Sequence, residues 1–194
     1  VLTESTANMA ITLILAVTRR IVEGDRLVRR GEWKGFSLDF MIGSEIRGRQ
    51  LGIVGFGRIG QAVAEKARQF GMEIAYHNPS ARSIVGCESM SFDQLLATSD
   101  VVSIHVPLLP QTRHLIDRTA LSRMKRSAYL INTSRGPVVD GGCHGRLHRG
   151  GDVFADLHHG FCDRVMHARR WVILPAHLVS QAGQTFIHPD CGKF

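Results

Sequence analysis

Gly48-Arg49-Gln50-Leu51-Gly52-Ile53-Val54-Gly55-Phe56-Gly57-Arg58-Ile59-Gly60 joins an apolar run to a set of spaced glycines. Leu51 to Val54 reads as a buried strand, and Gly55, Gly57 and Gly60 spell G-x-G-x-x-G directly behind it. Ile59, Ala62, Val63, Ala67 and Phe70 then recur at three- and four-residue steps, so a helix starts inside the motif. Strand, tight turn and helix in this order are what a dinucleotide pyrophosphate requires. Gly55 permits the turn, Gly57 admits backbone to phosphate, and Gly60 lets the helix pack close to the strand. The helix N-terminus, with Arg58 and Ile59 in its first turn, offers free N–H groups and a positive dipole end to the anion.

Outward from this motif the chain alternates. Upstream, Thr3 to about Arg30 reads as one long amphipathic helix, with Thr3 or Ser5 as cap and an apolar stripe of Ala10, Leu13, Ile14, Val17 and Ile21. Gly31-Glu32-Trp33-Lys34-Gly35 ends it. Downstream come a strand at Glu73–His77, a short helix capped by Ser91 through Leu96, and a strand at Val101–Val106. A helix at Asp117–Met124 and a strand at Ala128–Asn132 follow. Such alternation with short links predicts an α/β fold, a doubly wound parallel sheet of Rossmann type. The expected organisation is a helical element over 1–35, a dinucleotide-binding core over 36–140, and a divergent, irregular part of the same domain over 141–194.

The chain has 194 residues, enough for one domain with a core, and its apolar fraction is 44%. It opens on Val1 rather than Met, which reads as a fragment or a processed product. The early apolar run Ala10–Val17 is too short to span a bilayer and has no basic start, so neither a membrane span nor a signal peptide is expected. Four cysteines without paired spacing point to a reducing compartment, hence a cytoplasmic protein. The net charge of +7 comes from 20 Arg and 4 Lys against 17 acids, scattered along the chain. With 7% aromatic residues and no basic stripe, nucleic acid is not an expected partner. A basic cleft that attracts an anionic cofactor and substrate is the more economical use of the charge. Cys143, His144, His148, His158, His159 and Cys162 invite a metal reading, but their spacing matches no zinc pattern, and no metal is expected.

The residue that closes the second strand, 18 after Gly60, selects the cofactor. An acid there accepts from a ribose 2′-hydroxyl and repels a 2′-phosphate. Asn78 occupies the position, with Ser80 and Arg82 just beyond, so NADP is favoured over NAD. A neutral turn that tolerates both is the alternative.

Leu2-Thr3-Glu4-Ser5-Thr6-Ala7, Gly31-Glu32-Trp33, the glycine motif, His105-Val106-Pro107-Leu108 with Thr112, and Ile131-Asn132-Thr133-Ser134-Arg135-Gly136 follow one another in register. This pattern resembles the D-isomer-specific 2-hydroxyacid dehydrogenases, and most of all the glyoxylate/hydroxypyruvate reductase and D-glycerate dehydrogenase branch. The resemblance is dense from Val1 to Asp140 and broken afterwards. It implies an NAD(P)-dependent oxidoreductase that passes hydride between nicotinamide and a small 2-keto or 2-hydroxy acid, and a homodimer built on the first helix. It implies that these residues are the nucleotide-binding domain alone, inactive without a substrate domain. Val106, Pro107, Thr112, Thr133, Ser134 and Asp152 would join the glycine motif around the cofactor. Arg135 would hold the substrate carboxylate in a guanidinium fork and polarise the adjacent carbonyl. His177, in Leu174-Pro175-Ala176-His177-Leu178-Val179-Ser180, would protonate the carbonyl oxygen.

The tail departs from that pattern. The family has Pro-His-x-Gly-Ser where this chain carries an inserted Ala176 and Val179. The Glu that normally raises the pKa of the histidine falls, counting from Asp152, on Leu157. The stretch from Asp140 to Asp152 is about seven residues short, as small insertions and deletions would leave it. These departures suit an alternative, a non-catalytic nucleotide-sensing module like the corepressors that share this fold.

Overall fold

The computed structural model describes residues 2–80, 84–141 and, as backbone, 171–173. Six strands form one parallel sheet: β1 (Gln50–Val54), β2 (Glu73–His77), β3 (Glu88–Ser89), β4 (Val101–Ile104), β5 (Tyr129–Asn132) and β6 (Trp171–Ile173). Their spatial order is β3-β2-β1-β4-β5-β6. The chain runs outward from β1 to β3, then returns past β1 to start the other half at β4. The order therefore reverses between β1 and β4, and the carboxyl ends of those two strands frame the crevice where such sheets bind ligands. The doubly wound expectation holds, and β3 and β6 extend the sheet beyond the four strands expected from periodicity.

Both faces of the sheet are covered, which is why its strands are apolar throughout rather than alternating. On one face α1 (Leu2–Thr18) and α3 (Arg58–Gln69) bury Ala7, Ala10, Ile14, Val63 and Ala67 against Leu51, Ile53, Ile74 and Ile131. On the other, α4 (Phe92–Thr98) and α5 (Arg118–Arg123) bury Leu95, Leu96, Ala120 and Leu121 against Val54, Val102, Ile104 and Leu130. Lys66 and Glu4 pair at 2.9 Å across α3 and α1. At the amino ends of the strands the Asp100 carboxylate accepts from the Gln50 N–H and from Lys125, both at 3.0 Å. Burial works to raise its pKa, but these donors, with Arg49 nearby, hold it below the usual carboxylate value.

The long first helix expected from the sequence is two helices, α1 and α2 (Ile21–Arg29). Arg20 sits between them in the left-handed region at φ 56°. The cause is a distant segment. Ser44 N–H donates to Thr18 O at 2.7 Å, taking the carbonyl that a continued helix would use. A Cβ on Gly43 would lie 2.5 Å from that same oxygen, so only glycine lets the loop come so close. The Thr18 hydroxyl also bonds back to Ile14 O at 2.7 Å. Two smaller boundaries differ as well: β4 ends at Ile104 rather than Val106, and α4 runs on to Thr98.

Candidate functional site

The three motif glycines each meet a different constraint at the crevice. Gly55 has φ 93°, and a Cβ there would lie 2.8 Å from the His105 backbone and from Val106 Cγ1. It marks the tight crossing of the β1 turn over the end of β4, fixed by Gly55 N–H to His77 O at 2.9 Å and His105 N–H to Val54 O at 2.7 Å. A Cβ on Gly60 would stand 2.4 Å from Gly55 O, so α3 packs onto the turn only because that side chain is missing. Gly57 is different. Among the described residues nothing lies within 4 Å of where its Cβ would be. The packing of the described residues does not require glycine there.

The start of α3 points the same way. Ser91 caps α4 by accepting from Gln94 N–H at 3.3 Å, and Asp117 caps α5 by accepting from Ala120 N–H at 2.7 Å. The N-cap of α3 is Gly57 itself, with no side-chain cap and no acid in the first turn. The N–H groups of Arg58, Ile59 and Gly60 are thus left for an anion at the positive end of the helix.

Asn78 follows β2 and reaches back to the turn. Its Oδ1 accepts from Phe56 N–H at 3.4 Å, and its Nδ2 donates to Ser80 O at 3.0 Å and Ser80 Oγ at 3.1 Å. The Ser80 hydroxyl is therefore an acceptor toward Asn78 and keeps its own hydrogen to give outward. Arg82 lies outside the described residues.

Across the crevice, Thr133, Ser134 and Arg135 follow β5. Asn132, fully buried, shapes this loop. Its Oδ1 accepts from Ser134 N–H at 3.0 Å and Ser134 Oγ at 2.8 Å, and its Nδ2 donates to Arg135 O at 3.0 Å. The Arg135 guanidinium is exposed, bonds only to Ser134 O at 3.0 Å, and meets no carboxylate among the described residues. The Thr133 hydroxyl is buried without a partner among the described residues. Thr133, Ser134 and Arg135 line one cleft of about 570 Å³ together with Ile59, His105, Val106, Pro107 and Leu108, and with Leu2 and Thr6 of α1.

His105, at the carboxyl end of β4, is a cleft residue that motif reading did not single out. Its Nε2 shares a 2.8 Å hydrogen bond with the buried Ser103 hydroxyl. Burial lowers its pKa to about 4, so the imidazole is neutral near pH 7. Asn132 was likewise read only as part of a motif. The available signal for both was a polar residue closing an otherwise apolar strand. Thr112 does not line the cleft: its hydroxyl is engaged with Leu109 N–H at 2.7 Å and Pro107 O at 2.6 Å. Asp152, Leu157 and His177 lie outside the described residues, as does the His- and Cys-rich tract. Among the described residues no group of three His, Cys, Asp or Glu side chains is placed to hold a metal, and no helix is long and apolar enough to cross a membrane.

The glycine turn, the exposed Arg135 and the cleft lined by Ile59 and Arg135 are set beside known proteins as follows. Residues 11–142 match the family described as D-isomer specific 2-hydroxyacid dehydrogenase, NAD binding domain. The chain is similar to the glyoxylate reductase of Thermococcus litoralis, at 51% identity over 148 residues, which is 72% of this chain and 45% of that protein. It thus spans about half the length of the curated relatives it matches. Among solved structures it is similar to D-lactate dehydrogenase from Aquifex aeolicus complexed with NAD and lactic acid. That match has a TM-score of 0.67 at 35% identity and covers 73% of this chain and 43% of the other. An acyclic imino acid reductase in complex with NADPH and D-Arg matches with TM-score 0.77 at 30% identity, covering 95% of this chain and 59% of the other. None of these relatives supports the alternative of a non-catalytic sensing module. With a family match across most of its length and the glycine turn at the switch point of a parallel sheet, this chain belongs to the D-isomer specific 2-hydroxyacid dehydrogenases, as their NAD-binding domain.

Proposed function

We propose that this chain is the cofactor-binding part of a reductase that acts on a small 2-keto acid of the glyoxylate or hydroxypyruvate type. The observation that carries the reading is the pairing of Gly57 and the uncapped α3 on one side of the crevice with Arg135, which meets no carboxylate among the described residues, on the other. When bound, the nicotinamide supplies hydride. Gly55, Gly57, Arg58, Ile59 and Gly60 hold the pyrophosphate through backbone. Val106, Pro107, Thr133 and Ser134 bound the nicotinamide end, joined by Asp152 from the tail. Arg135 binds the keto acid carboxylate in a bidentate fork. His177 is the proposed proton donor, read from sequence alone, and Leu157 leaves it without the customary carboxylate. The cysteine usage supports a reducing, cytoplasmic setting.

The cofactor proposed is NADP in preference to NAD. What supports it is the neutral Asn78 and the Ser80 hydroxyl, which accepts from Asn78 and keeps its own hydrogen as a donor suited to phosphate oxygens, with Arg82 two residues on. Asn78→Asp would still accept from Phe56 N–H, but would repel a 2′-phosphate and release Ser80. Charge-assisted contacts contribute roughly 1.5–3 kcal/mol each, so the preference should swing toward NADH by about tenfold or more. Calorimetric titration of the unmodified chain and the variant with both cofactors checks this. Tighter binding of NADH than NADPH by the unmodified chain would refute the NADP assignment.

A homodimer is also proposed, with its contact moved from the first helix to the segment after it. The apolar face of α1 is buried within its own chain. Trp33, Phe36, Leu38 and Ile42 are instead largely exposed, Phe36 and Leu38 at 87% each, next to the exposed Ile21 and Val28 of α2. So many large exposed apolar side chains in one stretch call for a partner, and a second copy is the simplest. The double variant Phe36→Glu, Leu38→Glu should shift the mass seen by light scattering from dimer to monomer. A monomeric unmodified chain at micromolar concentration contradicts the proposal.

A further inference from the structure

We propose that Thr112 is a positioning residue of the cleft, whose single hydroxyl holds the 107–112 loop in the shape that receives the cofactor; this rests on the reading of the cleft as the dinucleotide site. Thr112 makes no cleft wall of its own. Its Oγ1 accepts from Leu109 N–H at 2.7 Å and donates to Pro107 O at 2.6 Å, with Leu109 O more distant at 3.2 Å. A hydroxyl has one hydrogen, and the shorter contact takes it. No proton is then left for a phosphate or an amide of the cofactor, so the side chain acts through the loop rather than on the ligand.

The loop leans on this one group. Among the described residues, backbone bonds inside it are limited to Thr112 N–H and Arg113 N–H, both onto Leu109 O. The Pro107 ring removes a donor, and Pro110 removes another. The amide of Leu109 and the carbonyl of Pro107 face inward, and the Thr112 hydroxyl joins them. Beyond Thr112 the chain is pinned by His114 N–H to Pro137 O at 2.9 Å and Ile116 N–H to Val138 O at 3.1 Å. The far end of the loop is therefore anchored to the segment that follows Arg135. The near end, Pro107 and Leu108, lines the cleft; it follows the His105 N–H bond to Val54 O, and the Thr112 hydroxyl ties the Pro107 carbonyl into the loop.

Thr112→Val keeps the shape of the side chain and removes the hydroxyl. In the 194-residue chain its affinity for NADPH, measured by titration, should fall about five- to tenfold, the equivalent of about one net hydrogen bond's worth of pre-organisation. Hydrogen exchange at the Leu109 amide should quicken in the ligand-free protein, and Thr112→Ser should restore both. Thr112→Ala gives the same reading if the valine variant does not fold. Binding by Thr112→Val equal to that of the unmodified chain overturns the proposal. Weakened binding with unchanged Leu109 exchange also overturns it, since the hydroxyl would then touch the cofactor directly. Failure of the unmodified chain to bind either NADPH or NADH overturns the cofactor reading itself, and the role of Thr112 in it.

Discussion

Gly57→Val is expected to abolish dinucleotide binding while leaving the fold standing. The position is extended, at φ −79° and ψ −163°, which valine adopts without strain. No described atom within 4 Å obstructs the new side chain, so the loss of stability should stay below about 1 kcal/mol. The isopropyl group nevertheless fills the space where backbone must meet phosphate. Losing two charge-assisted contacts of roughly 1.5–3 kcal/mol each predicts a fall in affinity of at least about a hundredfold. The contrast with Gly55→Ala makes the test sharp. There the positive φ and the 2.8 Å approach to the His105 backbone should cost roughly 2–4 kcal/mol of stability. Thermal unfolding and calorimetry on the two variants separate a glycine needed by the ligand from a glycine needed by the chain. Unchanged NADPH affinity in a folded Gly57→Val protein would remove the site from this turn.

The second large effect concerns turnover. The 194-residue polypeptide should bind NADPH yet fail to oxidise it with glyoxylate or hydroxypyruvate. Arg135 stands exposed, and its guanidinium bonds to Ser134 O. Positioning and exclusion of water contribute about 7–11 kcal/mol to such reactions, and an Arg135 left exposed by the described residues supplies little of either. In the proposed reading, Leu157 stands where a carboxylate is customary, so His177 is expected to be a poor donor. Fusing the substrate-binding segment of a relative ahead of Val1 should bring measurable turnover. In that fusion Arg135→Gln should then lower kcat/KM by about a hundred- to a thousandfold through loss of the bidentate pair. Robust turnover by the unfused polypeptide would show that the donor or the domain boundary has been misplaced.

Much of this molecule is written in short stretches of sequence. The strands β1, β2, β4 and β5 are apolar runs bounded by polar residues, and α3, α4 and α5 carry their periodicity and, in two cases, their capping side chains. The glycine motif states part of its own geometry, since helix packing at Gly60 involves near neighbours, while the Gly55 turn also meets the distant His105 backbone. Arg135 follows from its place at a strand end. Other features depend on segments far apart in the chain. The break between α1 and α2 exists because Ser44 captures the Thr18 carbonyl, and no helix propensity near Arg20 announces it. The lowered pKa of His105 comes from burial, and the Thr112 hydroxyl bonds within its own loop, which two prolines have stripped of donors. Local propensity chooses elements and caps because those energies arise within a turn or two of chain. The partner of a particular carbonyl, hydroxyl or imidazole is settled only when packing brings distant backbone within about 3 Å, the reach of a hydrogen bond.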